Sequence, residues 1–276
     1  MQLKDLGEIN LLKQIQGFQS VQGIGDDCAV LDYTDDKYLL VTTDMLVEGS
    51  HFTTEQFSWG DIGRKAVEVN LSDIAAMGGI PTSIFISLGL PGSMREADFK
   101  ELYSGLSSSG IAITGGDLTE ADKVVINICV LGVVEKNRVL RRSGAAIGDL
   151  LAVTGELGAN AAGGYTLVPF ARQAEGRLLA QSGAVTAMTD ISDGLARSIY
   201  DIASESKAGI RLEESKVPLA KGATLKNALN GGEDYELLFT FKAGAKIPVE
   251  ATVIGEVVAE GEGTTFDRKG FEHYRL

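Results

Sequence analysis

Apolar residues occur in short stretches separated by glycine-rich and acidic turns, and their spacing predicts alternating strands and helices. YLLVTTDMLV is apolar and β-branched, which predicts a buried strand that ends at Asp44. In GRKAVEVNLSDIAAMGG, Val67, Leu71 and Ile74 recur at helical spacing before a Gly-Gly pair ends the predicted helix. SIFISLGLP is predicted as the next strand, because its alternate residues are apolar.

The second half of the chain has the same pattern. LLAVTG and AVTAMTD predict strands, whereas ELGANAAGG and SDGLARSIYDIASESKAG predict helices. Helices and strands mixed in both halves predict an α/β (α+β) architecture rather than a helical bundle or a β-sandwich. The polar, basic stretch EKNRVLRRSGAAIGD is the best candidate linker. We therefore expect an N-terminal domain over residues 1–140 and a C-terminal domain over residues 141–276.

Composition limits the classes of partner. The 276 residues include 25 Lys and Arg against 38 Asp and Glu, a net charge of −13. This charge opposes nonspecific binding to nucleic acid or anionic membranes, so we expect neither partner. Cys28 and Cys129 are too few for a disulfide framework, and the N-terminal residues lack the apolar core of a signal peptide. These features favour a reducing, cytoplasmic location.

Acidic residues concentrate at predicted strand ends and glycine turns, where α/β folds build their sites. Each one alone is more typical of a solvated turn. Together they predict a carboxylate cluster. The acids at these positions are Asp26, Asp27, Asp44, Asp117, Asp190, Asp193, Glu233 and Asp234.

Asp73 differs from these acids because it lies inside a predicted helix with no cation three or four residues away. Such a carboxylate needs a metal or a distant base. Carboxylates bind Mg²⁺, which keeps phosphate oxygens as further ligands, so a nucleoside triphosphate site is one interpretation and a calcium store is another. No P-loop, kinase HRD or DFG motif occurs, and His51 and His273 lack zinc-site spacing.

Seven segments, in order along nearly the whole chain, resemble the thiamine-monophosphate kinase family: GIGDD, VTTDMLVEGSHF, VNLSDIAAMGG, TGGD, RRSGAAIGD, TDISDGL and NGGEDYELLF. That family belongs to the superfamily of aminoimidazole ribonucleotide synthetase and selenophosphate synthetase. The resemblance implies a two-domain fold whose N-terminal sheets pair in a homodimer. It also implies Mg²⁺-assisted, in-line phosphorylation of thiamine monophosphate by ATP, which yields thiamine diphosphate in the biosynthesis of that cofactor.

The resemblance also implies roles for single residues, with several Mg²⁺ ions per site, ATP as co-substrate and a monovalent cation as a further candidate. Asp44 and Asp73 are expected to be the most critical, and no catalytic side chain is expected beyond the metal ligands. The implied metal ligands are Asp27, Thr42, Thr43, Asp44, Asp73, Asp117, Asp190 and Asp193. The implied nucleotide contacts are Tyr103, Gly115, Gly116, Asp117, Arg142 and Ser192. The implied thiamine monophosphate contacts are His51, Glu233 and Phe271.

The chain departs from the family pattern in places. The stretch from Tyr103 to Asp117 is shorter by about one helical turn, ~3.6 residues, and the family's GDSAAG reads GANAAG, without its acid. Two alternatives stay open: another ATP-using member of the superfamily, or a non-catalytic module that binds metal or nucleotide. Against the first, no Cys and Lys pair of the selenophosphate synthetase type precedes GIGDD.

Overall fold

The computed structural model describes residues 2–18, 20 and 23–264, whose strands form two five-stranded sheets, one in each half of the chain. The elements of the first half are α1 (Leu3–Leu6), α2 (Glu8–Gln16), β1 (Ala29–Asp32), β2 (Lys37–Val47), α3 (Trp59–Ala76), β3 (Ile80–Leu90), α4 (Glu96–Leu106), β4 (Ile113–Glu120) and β5 (Val125–Glu135). Their sheet has the order β1-β2-β5-β3-β4, and only β3 and β4 pair in parallel.

The second half begins with the strand β6. Its elements are β6 (Leu150–Val153), α5 (Ala159–Ala162), α6 (Gln173–Ser182), β7 (Val185–Asp190), α7 (Leu195–Ser206), β8 (Gly209–Leu212), a 3₁₀ turn (Glu214–Lys216), α8 (Leu225–Asn230), β9 (Leu237–Phe241) and β10 (Thr252–Val258). The sheet order is β7-β9-β6-β10-β8, and all four pairings are antiparallel. The α/β fold class expected from the periodicity is confirmed.

The first sheet is covered by helices on one face and open on the other. Along β5, buried residues alternate with half-buried ones, as expected for a strand with one face on the core. Ile126 and Ile128 are fully buried on the covered face, towards α3. On the opposite, open face, Met45 is 52% exposed and Phe85 is 38% exposed. An apolar sheet face of this kind is available to a partner.

Helix α3 connects the two halves. It packs on β2 and β5 of the first sheet and on α6 and β7 of the second half. The approach to α6 is close, because a Cβ atom on Gly176 would lie 2.2 Å from the carbonyl oxygen of Ala75. Ala75 and Ala76 share a core cluster with Leu179 and Phe239 of the second half. The end of α3 that carries Asp73 therefore lies between the two sheets.

Two expected boundaries were wrong. Strand β2 continues to Val47, so Asp44 lies inside the strand rather than at its end; its pairing with β5 extends over eleven residues. The Gly-Gly-Asp segment ending at Asp117 belongs to strand β4 rather than to a loop. Gly116 permits this, because a Cβ atom there would lie 1.8 Å from the carbonyl oxygen of Ile86. Among the described residues, no helix has the length and apolar character needed to cross a membrane.

Candidate active site

A cleft of about 620 Å³ lies between the two halves of the chain, beside β2 and the loop that follows it. Loops of the C-terminal half close its other side. Most of the predicted site residues lie here. The predicted residues that line the cleft are Asp27, Thr42, Thr43, Asp44, His51, Asp73, Arg142, Ser192, Asp193 and Glu233.

Three carboxylates from separate parts of the chain meet beside this cleft; Asp27 and Asp73 line it, whereas Asp190 does not. Asp27 belongs to the turn before β1, Asp73 to the last turn of α3, and Asp190 to the end of β7. One carboxylate oxygen from each lies within 4.8 Å of the other two, which is close enough for a shared cation. The fold thus brings together an acid from a glycine turn, an acid from a helix and an acid from a strand end.

Burial makes this cluster costly when no cation balances it. Desolvation raises the pKa of Asp27, and it raises the pKa of Asp190 to about 7. The pKa of Asp73 is raised well above its ordinary value by desolvation and then by the neighbouring carboxylates of Asp44, Asp190 and Asp27. Carboxylates crowded away from water in this way favour either a proton or a cation.

One oxygen of Asp27 is satisfied and the other is not. Its Oδ1 accepts hydrogen bonds from Arg142 Nη2 at 2.6 Å and from Thr189 Oγ1 at 2.9 Å. Its Oδ2 is buried and has no hydrogen-bond partner among the described residues. A buried carboxylate oxygen without a partner is unfavourable unless an ion or water completes it. The donor set therefore fits a hard divalent cation.

Neighbouring side chains orient the other acids. Thr42 Oγ1 donates to Asp73, and Ser72 Oγ donates to Asp190 Oδ2 at 2.5 Å. The backbone N–H of Asp44 donates to Oδ1 of Asn70 at 2.9 Å. Sequence reasoning missed Asn70, a fully buried amide on α3, although a polar residue in the apolar run VEVNLSDI was a usable signal.

Asp26 serves the turn rather than the cluster. Its Oδ2 accepts from Arg141 Nη1 at 2.7 Å, and its Oδ1 accepts from the backbone N–H of Arg142 at 2.9 Å. These bonds hold the segment that joins the two halves against the glycine turn. The guanidinium of Arg142 is thereby directed to Asp27 and the cleft.

The other end of the cleft contains His51 and Glu233. His51 Nδ1 accepts from the backbone N–H of Val47 at 3.0 Å. Glu233 accepts from Lys65 Nζ at 2.8 Å and from Asn160 Nδ2 at 3.0 Å. Sequence reasoning missed both Lys65 and Asn160, because their common partner is distant in sequence.

Unusual backbone conformations also mark the cleft. Four described residues other than glycine have positive φ, and three of them, Tyr165, Glu233 and Tyr235, line the cleft at φ values of 60°, 58° and 50°. Conformations of this kind cost free energy and are concentrated at functional sites. The loops of the second half are therefore constrained where they face the cleft.

Comparison with known proteins identifies the family. The N-terminal domain model of AIR synthase related proteins matches residues 25–134, and the C-terminal domain model matches residues 146–268. The thiamine-monophosphate kinase of Aquifex aeolicus is 34% identical, with 99% of this chain and all of the relative covered. The chain belongs to the thiamine-monophosphate kinase family. The resemblance of the seven segments is confirmed.

A further relative and a solved structure agree with this assignment. The thiamine-monophosphate kinase of Bacillus subtilis is 32% identical over 92% of this chain and 93% of its own. A solved structure of AaThiL complexed with AMPPCP and TMP is 33% identical and has a TM-score of 0.90 over 99% of each chain. Both AIR synthase domains of the thiamine-monophosphate kinase fold are thus present.

The nucleotide contacts implied by the thiamine-monophosphate kinase family are divided between two places. Arg142 and Ser192 line the cleft, whereas Tyr103 lies 39% exposed on α4. Gly115, Gly116 and Asp117 lie on the edge strand β4. Strands β5 and β3 separate β4 from β2, a distance of roughly 14 Å at ~4.8 Å per strand. Phe271 lies outside the described residues.

Proposed function

We propose that this protein transfers the γ-phosphate of ATP to thiamine monophosphate, which yields thiamine diphosphate and ADP. The buried cluster of Asp27, Asp73 and Asp190, with its unpartnered oxygen, is the observation that carries the proposal. Relatives over the full chain are thiamine-monophosphate kinases, and AaThiL was solved with AMPPCP, an ATP analogue, and with TMP. That pair of ligands corresponds to the donor and the acceptor of the proposed reaction.

We propose Mg²⁺ as the resident cation, held by Asp27, Asp73 and Asp190. The further ligands of additional ions are proposed to be Thr42, Thr43, Asp44, Asp117 and Asp193. The unpartnered Asp27 oxygen and the all-oxygen donor set of the cluster support a hard cation rather than zinc. When bound, Mg²⁺ neutralises phosphate charge and stabilises the charge that spreads over the transferring group. We keep a monovalent cation as a second candidate ion.

The acceptor needs no strong base from the protein. A phosphomonoester has a second pKa of roughly 6, so the attacking oxygen is already deprotonated at neutral pH. That oxygen forms a bond to the γ-phosphorus, and the bond from the γ-phosphorus to the β–γ bridging oxygen breaks as ADP leaves. Arg142 offers a cation in the cleft. His51, Glu233 and Phe271 are proposed to contact thiamine monophosphate.

We propose that the nucleotide is contacted by Tyr103, Gly115, Gly116, Asp117, Arg142 and Ser192. We further propose a homodimer that packs the open faces of two first sheets together. The exposed apolar side chains of Met45 and Phe85 on that face support the dimer. The distance between β4 and β2 also supports the dimer. Asp117 lies on β4, away from the cleft of its own chain, and a second copy would offer it another nucleotide to contact.

The domain limits 1–140 and 141–276 remain our proposal. They are supported by the sheets, because β5 ends at Glu135 and β6 begins at Leu150. The family models, over residues 25–134 and 146–268, leave the same gap. We also propose a cytoplasmic location, supported by the two free cysteines, Cys28 and Cys129.

The test is formation of thiamine diphosphate from ATP, Mg²⁺ and thiamine monophosphate, followed by chromatography. We expect turnover by the natural chain and its loss in Asp44→Asn and in Asp73→Asn, each with an unchanged circular dichroism spectrum. Asp35→Asn, an equivalent change at an exposed acid, is expected to keep full turnover. Near-normal turnover by both Asp44→Asn and Asp73→Asn at saturating Mg²⁺ would contradict the assignment. Binding of ATP without product would favour the non-catalytic module.

A further inference from the structure

Lys65 is fully buried, with 1% of its surface exposed. It lies on α3 and does not line the cleft. A buried ammonium group costs several kcal/mol unless charged and polar partners surround it. The groups that contact Lys65 therefore indicate its role.

The hydrogen-bond partners of Lys65 lie at the acceptor end of the cleft. Its Nζ donates to Glu233 Oε2 at 2.8 Å, to Glu233 Oε1 at 3.0 Å and to the carbonyl oxygen of His51 at 2.9 Å. The same Nζ lies 5.1 Å from the ring centroid of Phe57. One ammonium group thus fixes a carboxylate of the second half and a loop of the first half, and both of these line the cleft.

Glu233 has little other means of keeping its orientation. Its backbone has φ = 58° and directly follows two glycines. Asn160 Nδ2 donates to Oε2 at 3.0 Å from α5, on the second half. Asn160 belongs to the same half as Glu233, whereas Lys65 is the donor that joins this carboxylate to the His51 loop across the cleft.

We infer that Lys65 is a positioning residue for the phosphate acceptor: it holds Glu233 and the His51 loop at the spacing at which they contact thiamine monophosphate. This inference rests on the proposed function. Lys65 contacts neither the carboxylate cluster nor Arg142. Its link to the proposed nucleotide contact Ser192 is indirect, through the backbone N–H of Glu233, which donates to the carbonyl oxygen of Ser192 at 2.6 Å. We therefore expect the loss of Lys65 to raise the KM of the acceptor far more than the KM of ATP.

The experiment measures both KM values for the natural chain, Lys65→Met, Glu233→Gln and the double variant. We expect Lys65→Met to raise the acceptor KM at least about 10-fold, a change of ~1.4 kcal/mol, and to leave the KM of ATP within about 2-fold. The double variant is expected to be no worse than the poorer single variant, because both changes break one interaction. Equal increases in both KM values, or multiplied effects in the double variant, would overturn the inference.

A matched control separates positioning from stability. Arg177 forms two bonds of 2.6 Å to Glu135, which also join the two halves, and neither residue lines the cleft. Arg177→Met is expected to lower the melting temperature without changing the ratio of the two KM values.

If Lys65→Met does not fold, the two KM values are measured for Lys65→Arg instead, because arginine keeps the positive charge but moves it away from the position of Lys65 Nζ. An unchanged KM ratio in Lys65→Arg, or a control that shifts the ratio equally, also overturns the inference. Absence of product with the natural chain contradicts the proposed function instead.

Discussion

Replacement of Asp190 by Asn is predicted to stabilise the metal-free chain while it weakens the response to Mg²⁺. Two unit charges 4.8 Å apart, the outer limit within the cluster, repel by about 3.5 kcal/mol at an effective dielectric constant of ~20. Asn has the same shape and still accepts the hydrogen bond that Ser72 Oγ donates at 2.5 Å. After allowance for partial protonation of the crowded carboxylates, we expect a gain of about 1–3 kcal/mol at pH 8.

Thermal unfolding at pH 8 measures this change, first in excess EDTA and then with Mg²⁺. A gain of this size corresponds to a rise in Tm of roughly 2–10 °C in EDTA. Added Mg²⁺ is expected to raise the Tm of the natural chain and to change that of Asp190→Asn much less. The control, Asp35→Asn, removes an exposed charge and is expected to match the natural chain in both conditions. A lower Tm for Asp190→Asn in EDTA, or an undiminished Mg²⁺ response, would contradict the repulsion assigned to the cluster.

Two further predictions concern stability. Gly105→Ala is expected to lower the free energy of unfolding by about 1–3 kcal/mol, because its Cβ would lie 2.1 Å from the carbonyl oxygen of Gly60. The control is Gly60→Ala, whose Cβ would lie 3.7 Å from its nearest neighbour. Equal urea midpoints for the two variants would contradict the prediction. Burial raises the pKa of Asp234 to about 6, so its contribution to stability is lost as pH rises from about 4 through 6. Between pH 4.5 and 7.5 the free energy of unfolding of Asp234→Asn should therefore fall by about 1–3 kcal/mol less than that of the natural chain. An equal fall in both chains would exclude this effect.

The spacing of apolar residues was sufficient to predict the helices and strands whose pattern lies within a short stretch of sequence. The helical repeat of Val67, Leu71 and Ile74 predicted α3, and the apolar run before Asp190 predicted the end of β7. The end of β2 was misplaced because a strand continues as long as its partner offers hydrogen bonds. The partner here is β5, which pairs with β2 as far as Val47. That pairing is not visible in the residues around Asp44.

The candidate site shows the same limit. The cluster could be predicted from three local signals: Asp27 at a glycine turn, Asp190 at the end of an apolar run, and Asp73 in a helix without a nearby cation. The partner of Lys65 could not be predicted, since Glu233 is 168 residues away and an isolated lysine in a helix is usually a solvated residue. The ion pair of Arg142 with Asp27 spans 115 residues. Such pairs depend on how the two halves pack rather than on any local pattern.

Transfer of the phosphoryl group to thiamine monophosphate can be followed directly with a radioactive label. The natural chain is incubated with Mg²⁺, thiamine monophosphate and ATP that carries ³²P at the γ-phosphorus, and the products are separated by chromatography. We expect the label to appear in thiamine diphosphate, in step with the formation of ADP. Release of the label as inorganic phosphate, with thiamine monophosphate unchanged, would contradict it.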